Sequence, residues 1–120
     1  MRRAVLSLAL AAGLAAPALA QVVSEGPGAQ LRVLDKLTGE VVDMELMAGD
    51  TGNLGFLRVT MNECRFPVNN PAGDAYVAVV VRYGDEPVPV FAGWMIASSP
   101  ALAAMDHPRY DVWALRCLDV

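Results

Sequence analysis

One histidine, two cysteines and two tryptophans bound the chemistry open to this 120-residue chain. His107 follows Ser98 and Ser99, with Asp106 and Asp111 beside it, so a serine–histidine–aspartate set for acyl transfer can be written down. Neither serine sits in the glycine-framed turn that lifts a nucleophile out of a sheet. Ser99 stands directly before Pro100, and this is the grammar of a helix start. The serine caps free amide donors, and the proline gives up a donor that had no partner. His107, caught between a helix end and Pro108, reads as a side chain that bonds a carbonyl at the helix C-terminus. A small periplasmic hydrolase using Ser98 or Ser99 with His107 is therefore the second reading, and a non-catalytic protein the first. The acidic residues are scattered over strand exteriors and turns, so no glycosidase pair is visible. Gly26-Pro27-Gly28 and the glycines between 49 and 55 lack the strand-to-helix setting of a phosphate cradle.

Metal chemistry is short of ligands. A tetrahedral zinc site wants three or four donors, and His107 has only Asp106 and Asp111 nearby. Met44 and Met47, three apart on a strand, point to opposite faces and cannot chelate together. Met61, Met95 and Met105 stand at apolar positions where methionine fills a core. No metal and no cofactor is expected. Cys64 and Cys117, weighed against metal ligation or a reactive thiol, read as a disulfide, because an even pair in an exported chain is first a staple. In the chain-entropy model such a loop contributes about 4 kcal/mol.

Binding is the chemistry left. Trp94, His107, Tyr110 and Trp113 form a candidate binding surface whose rings could stack a sugar or dock a peptide. The competing reading buries both tryptophans in the core. An edge strand that accepts a partner strand is another route. The expected partner is a protein or a glycan of the cell envelope; oligomeric state is left open.

The export assignment rests on the N-terminus. Met1-Arg2-Arg3 is a short cationic start, Ala4 to Ala16 an apolar run, and Ala18-Leu19-Ala20 a small-x-small site. That order predicts a signal peptide over 1–20, cleaved after Ala20, and a periplasmic protein. The run is too short for a membrane anchor, and no transmembrane segment is expected after its removal. Without Arg2 and Arg3 the chain keeps seven basic side chains against thirteen acidic ones, a net charge of about −6. Nucleic acid, which wants a basic stripe, is excluded as a partner.

The elements that must position these residues are strands. Residues 21–30, polar and rich in glycine, read as a flexible lead-in to a single β domain over 31–120. Period-2 alternation predicts strands over 31–37, 41–47 and 56–64, with a turn at Thr38-Gly39 and a loop over 48–55. The parity of 56–64 puts Cys64 on the polar face, so a bulge near Asn62-Glu63 is expected to turn it inward. Residues 75–83 and 90–97 are apolar on both faces and read as the two central strands, with Phe91 and Trp94 on opposite sides. A short helix over about 99–106 follows, with Leu102 and Met105 on its buried face. The last strand spans 110–118, with Trp113, Leu115 and Cys117 on one face. The sum is an all-β fold, a small antiparallel barrel or sandwich of about six to seven strands with one late helix.

The string Phe91-Ala92-Gly93-Trp94-Met95, Ser98-Ser99-Pro100-Ala101-Leu102, His107-Pro108 and Tyr110-Asp111-Val112-Trp113 ending in Cys117 resembles an exported bacterial family, domain of unknown function 2155. Leu34-Asp35-Lys36 with Thr38-Gly39 fits the same pattern. The likeness runs from about Ala29 to Leu118. The chain departs from it at Ile96, where an aromatic is usual, and at Asp106, where a glutamate is usual. The proline-rich charged loop after the first cysteine is also muted. The resemblance implies export, paired cysteines and a single domain. It carries no activity and no catalytic residue.

Overall fold

Alternation of apolar and polar side chains lays out the strands of the computed structural model, which describes residues 22–103 and 105–119. The expected signal segment 1–20 lies outside the described residues. Eight strands appear: β1 (Val23–Gly26), β2 (Gly28–Asp35), β3 (Val41–Met47), β4 (Thr51–Leu54), β5 (Leu57–Pro67), β6 (Tyr76–Tyr83), β7 (Phe91–Ile96) and β8 (Tyr110–Cys117). All pairings are antiparallel. One sheet runs β1-β5-β6-β7, with β4 also on β5, and the other runs β3-β2-β8. The fold is all-β and sandwich-like.

The inner faces meet through alternate residues. Leu31 and Val33 of β2 and Val112 and Ala114 of β8 lie against Leu57, Val59 and Met61 of β5 and Val77, Val79 and Val81 of β6, all buried. Strand β5 is long enough to take two partners in tandem on one edge: β4 pairs with Leu57–Thr60, and β1 with Cys64–Pro67.

Two bulges decide where the cysteines point. The β5–β6 register slips between Met61 and Glu63, which turns Cys64 into the core at 0 % exposure, as the sequence predicts. The β2–β8 register slips opposite Gln30 and Leu31, so Leu115 is the extra residue and Cys117 joins the inner face with Ala114. The two sulfurs form the disulfide, with a Cα–Cα distance of 5.7 Å.

Five expectations are corrected. The span 21–30 is not all lead-in, because it contains β1 and the start of β2; glycine there serves close packing, since a Cβ at Gly28 would run into the backbone of Leu46 and Met47. The loop 48–55 contains β4. Of the two strands read as central, β6 is interior but β7 is a sheet edge. The helix over 99–106 shrinks to a 3-10 turn at Pro100–Ala103, because Leu102 is 75 % exposed and leaves no apolar stripe for a longer helix to bury. On β8 the inward residues are Tyr110, Val112 and Ala114, so Trp113 and Leu115 face outward; the bulge restores only Cys117 to the core.

Candidate functional site

The fold separates the residues that a hydrolase would need. Asp74, just before β6, accepts the Ser98 hydroxyl at 2.7 Å and the Ser98 and Ala75 amides at 3.0 and 2.8 Å. Burial opposes the Asp74 charge, but these bonds outweigh it and hold the carboxyl below its ordinary value. Ser98 therefore clasps one end of the β6–β7 hairpin. Ser99 follows, its amide bonded to the Ile96 carbonyl at 3.1 Å and its carbonyl accepting the Leu102 amide at 3.1 Å. His107 lies at the other end of β6, its ring 4.7 Å from that of Tyr83. Tyr76, two residues after Asp74, and Tyr83 are seven strand steps apart, roughly 23 Å. Serine and histidine are not brought together.

His107 is instead a backbone organiser. Its Nδ1 accepts the Arg109 and Tyr110 amides at 3.1 and 3.2 Å, which places the proton of the neutral ring on Nε2. Its carbonyl accepts the Lys36 ammonium at 2.7 Å. Beside it Arg109 makes a two-pronged pair with Asp35, at 3.1 and 2.9 Å, and its guanidinium lies 5.0 Å from the Tyr110 ring and 6.0 Å from that of Phe56. Asp35 is 3 % exposed, and its carboxylate also accepts the Leu37 and Thr38 amides of the β2–β3 turn. The Arg109 bond, working against desolvation and helped by these amides, holds the Asp35 carboxyl down to about 2. Tyr110 is wholly buried, and its hydroxyl oxygen accepts the Phe56 amide at 3.3 Å. His107 and Tyr110 do come together, ring centroids 5.8 Å apart, but as a latch at one end of the sandwich.

The tryptophans do not share a surface. Trp94 stands 41 % exposed on the outer face of the five-stranded sheet, since its neighbour Met95 points inward. The Arg65 guanidinium lies 5.1 Å from its ring, and Val23, Tyr76, Arg65 and Trp94 line an open groove of about 250 Å³. Arg65 also pairs with Glu63 at 2.9 Å. The Arg65 bond holds the Glu63 carboxyl low, while Glu25, hydrogen-bonded to Glu63 on the neighbouring strand, is pushed above its ordinary value. Trp113 lies on the outer face of the other sheet, opposite Arg32, and lines a groove of about 340 Å³ with Pro100, Ala101 and Asp111.

Sequence reasoning missed Asp35, Arg109, Arg65 and Tyr76. Arg65 and Tyr76 meet only across a register set by the Asn62 bulge, and Asp35 and Arg109 are 74 residues apart. Among the described residues no group of three or more histidine, cysteine, aspartate or glutamate side chains could hold a metal ion. No helix of the described residues is long and apolar enough to cross a membrane.

A family model described as an uncharacterized protein conserved in bacteria (DUF2155) matches residues 29–117. The chain is 26 % identical over 87 residues to the uncharacterized protein RP359 of Rickettsia prowazekii (strain Madrid E). That match covers 70 % of this chain and 56 % of the relative, so the chain spans little more than half the relative's length. No solved structure matches it.

Proposed function

The chain belongs to the DUF2155 family of bacterial proteins, and we propose that it acts as a non-catalytic accessory or binding protein of the cell envelope, exported to the periplasm. The observation that carries the reading is Trp94. A large indole left 41 % exposed on an outer sheet face, with Arg65 against its ring and a groove beside it, adds nothing to the core. Amphipathic rings in that position are the usual anchors of recognition surfaces. The groups the hydrolase reading would use are engaged otherwise: Ser98 with Asp74, and His107 with two backbone amides. Export is supported by the cationic and apolar N-terminal grammar and by the disulfide, which persists in oxidising compartments.

The test is a cross-linking capture from the native cell envelope, read by mass spectrometry, with wild-type protein and Trp94→Ala side by side. The expected outcome is a protein or glycan partner retained by the wild type and lost by the variant, from a periplasmic protein whose first residue is Gln21. Equal capture by both proteins removes Trp94 from the binding surface. A cytosolic, uncleaved protein overturns the export reading.

A further inference from the structure

The outer edge of β8 is organised in a way that the Trp94 surface does not explain. Among the described residues β8 pairs only with β2, so its other side is a free sheet edge. The direction of its backbone groups follows from the ladder. The Lys36 amide donates to the Arg109 carbonyl at 2.7 Å, one step beyond the paired strands, which makes Leu34–Asp111 and Arg32–Trp113 the hydrogen-bonded pairs. The amides and carbonyls of Val112 and Ala114 therefore turn away from β2. Past the bulge, the Leu118 amide donates to the Gly28 carbonyl at 2.8 Å, so Cys117 also faces outward. The Val112 amide fits this assignment, because it bonds the neighbouring Asp111 carboxylate at 3.2 Å and not β2.

This edge faces a trough. Openings of about 340, 220 and 310 Å³ follow one another along β8 from Asp111 to Asp119, and the last two share Leu115 and Arg116. The facing wall is made by the loop 71–74, residues 97–98 and residues 100–101. The six strand steps from Asp111 to Cys117 make the edge roughly 20 Å long, the span of an extended peptide. The strand is also held at both ends, by fully buried Tyr110 and by the disulfide from Cys117 to β5. A strand fixed in this way loses little freedom when a second one pairs with it.

We propose that the free edge of β8 takes an extended peptide segment of a partner protein as an added strand. This deepens the binding-protein reading and rests on it, while using a surface separate from Trp94. The outward charges on β8 set the partner's pattern. Asp111 lies near one end and Arg116 near the other; among the described residues the Arg116 guanidinium meets only neutral acceptors, the Gln30 side chain at 3.1 Å and the Cys117 carbonyl at 3.3 Å. The complementary peptide carries a basic residue opposite Asp111 and an acidic residue opposite Arg116, with a small apolar side chain against Trp113 and Pro100. Its backbone carbonyl replaces Asp111 on the Val112 amide.

The test is selection from a displayed library of random twelve-residue peptides on the oxidised protein, followed by amide hydrogen exchange with the selected peptides. The expected result is slowing of at least tenfold at Val112, Ala114 and Cys117. Affinity should fall at least tenfold in Ala101→Trp and Ala72→Trp, which fill the trough from exposed positions and should leave the melting curve unchanged. Arg116→Glu should weaken binding, and a peptide with its acidic residue changed to lysine should restore it. Enrichment no better than on a control protein overturns the proposal. So does equal binding to both tryptophan variants. Peptides that bind these variants but lose affinity in Trp94→Ala would overturn the β8 trough and leave the broader binding reading standing.

Discussion

At the level of single residues the end of the sandwich is tied by Asp35 and Arg109, and the tie has a pH signature. The folded Asp35 carboxyl titrates at about 2, below the ordinary value of 3.8. A depressed carboxylate contributes stability that is present above the unfolded pKa and is lost as pH falls through the folded one. The contribution is thus complete near neutrality, declines below about pH 4 and is gone below about pH 2. The expected outcome is that Asp35→Asn lowers the melting temperature at pH 7, while wild type and variant converge as the pH approaches 2. A constant gap across that range would show that Asp35 acts through its shape and not through its charge. Gly55 offers a second residue-scale test. It has φ +57°, a conformation that L side chains rarely adopt, and a Cβ there would strike the buried Tyr110 hydroxyl. Gly55→Ala should cost about 1–3 kcal/mol in urea unfolding, and an unchanged midpoint would mean that the β4–β5 turn relaxes freely. Neither contact was legible in the sequence. Asp35 and Arg109 lie 74 residues apart and Gly55 and Tyr110 lie 55 apart, and no local pattern reports a pairing between segments so distant in the chain. Trp94 was legible as a candidate because its size and its place on a strand next to apolar Met95 raise the question of which face it takes.

At the level of elements the sequence spoke clearly wherever the pleat was regular and misled where it was interrupted. Strand β3 was read with the bounds it has, because Val42, Met44 and Leu46 alternate strictly with Asp43 and Glu45. Strand β4 was hidden, because TGNL has two small polar residues and one glycine, and its pairing with β5 supplies what propensity lacks. The polarity clash at Cys64 revealed the first bulge. The second gave no such clue: Trp113, Leu115 and Cys117 form a plausible inward face, and only the β2 register shows that the chain slips at Leu115. Each bulge sits just ahead of a cysteine, three residues after the last inward residue, Met61 in one strand and Ala114 in the other. Parity over three residues is odd, so without the bulge each cysteine would face solvent. Deleting Asn62 leaves Cys64 two residues after Met61, an even separation, so Cys64 should keep its inward side and the bridge should form without the bulge. The expected outcome is no titratable thiol in the folded variant, as in the wild type. Two titratable thiols after the deletion would mean that the bulge places Cys64 by more than parity.

At the level of the whole molecule the all-β class was legible from alternation alone, but the arrangement of the sheets was not. Hydrophobicity on both faces suggested that β6 and β7 were twin central strands, yet β7 is an edge, because the chain after it leaves the five-stranded sheet and crosses to β8 of the other. The disulfide stands across that division. Cys64 lies in β5 and Cys117 in β8, so the bridge ties the two layers together covalently. It closes a loop of 53 residues, which in the chain-entropy model is worth about 4 kcal/mol. A domain of this size holds about 5–15 kcal/mol in all, so reduction should leave it close to the threshold of folding. The expected drop in melting temperature on reduction is roughly 15–30 °C. Because the β8 trough depends on Cys117 anchoring one end of the strand, reduction at a temperature where the protein still folds should also speed exchange of the Trp113 and Arg116 amides, which bond β2, before it does so at the core amides of β6. If exchange instead rises together across both sheets, the bridge contributes to global stability alone, and the rigidity of the β8 edge must come from Tyr110 and the packing around it.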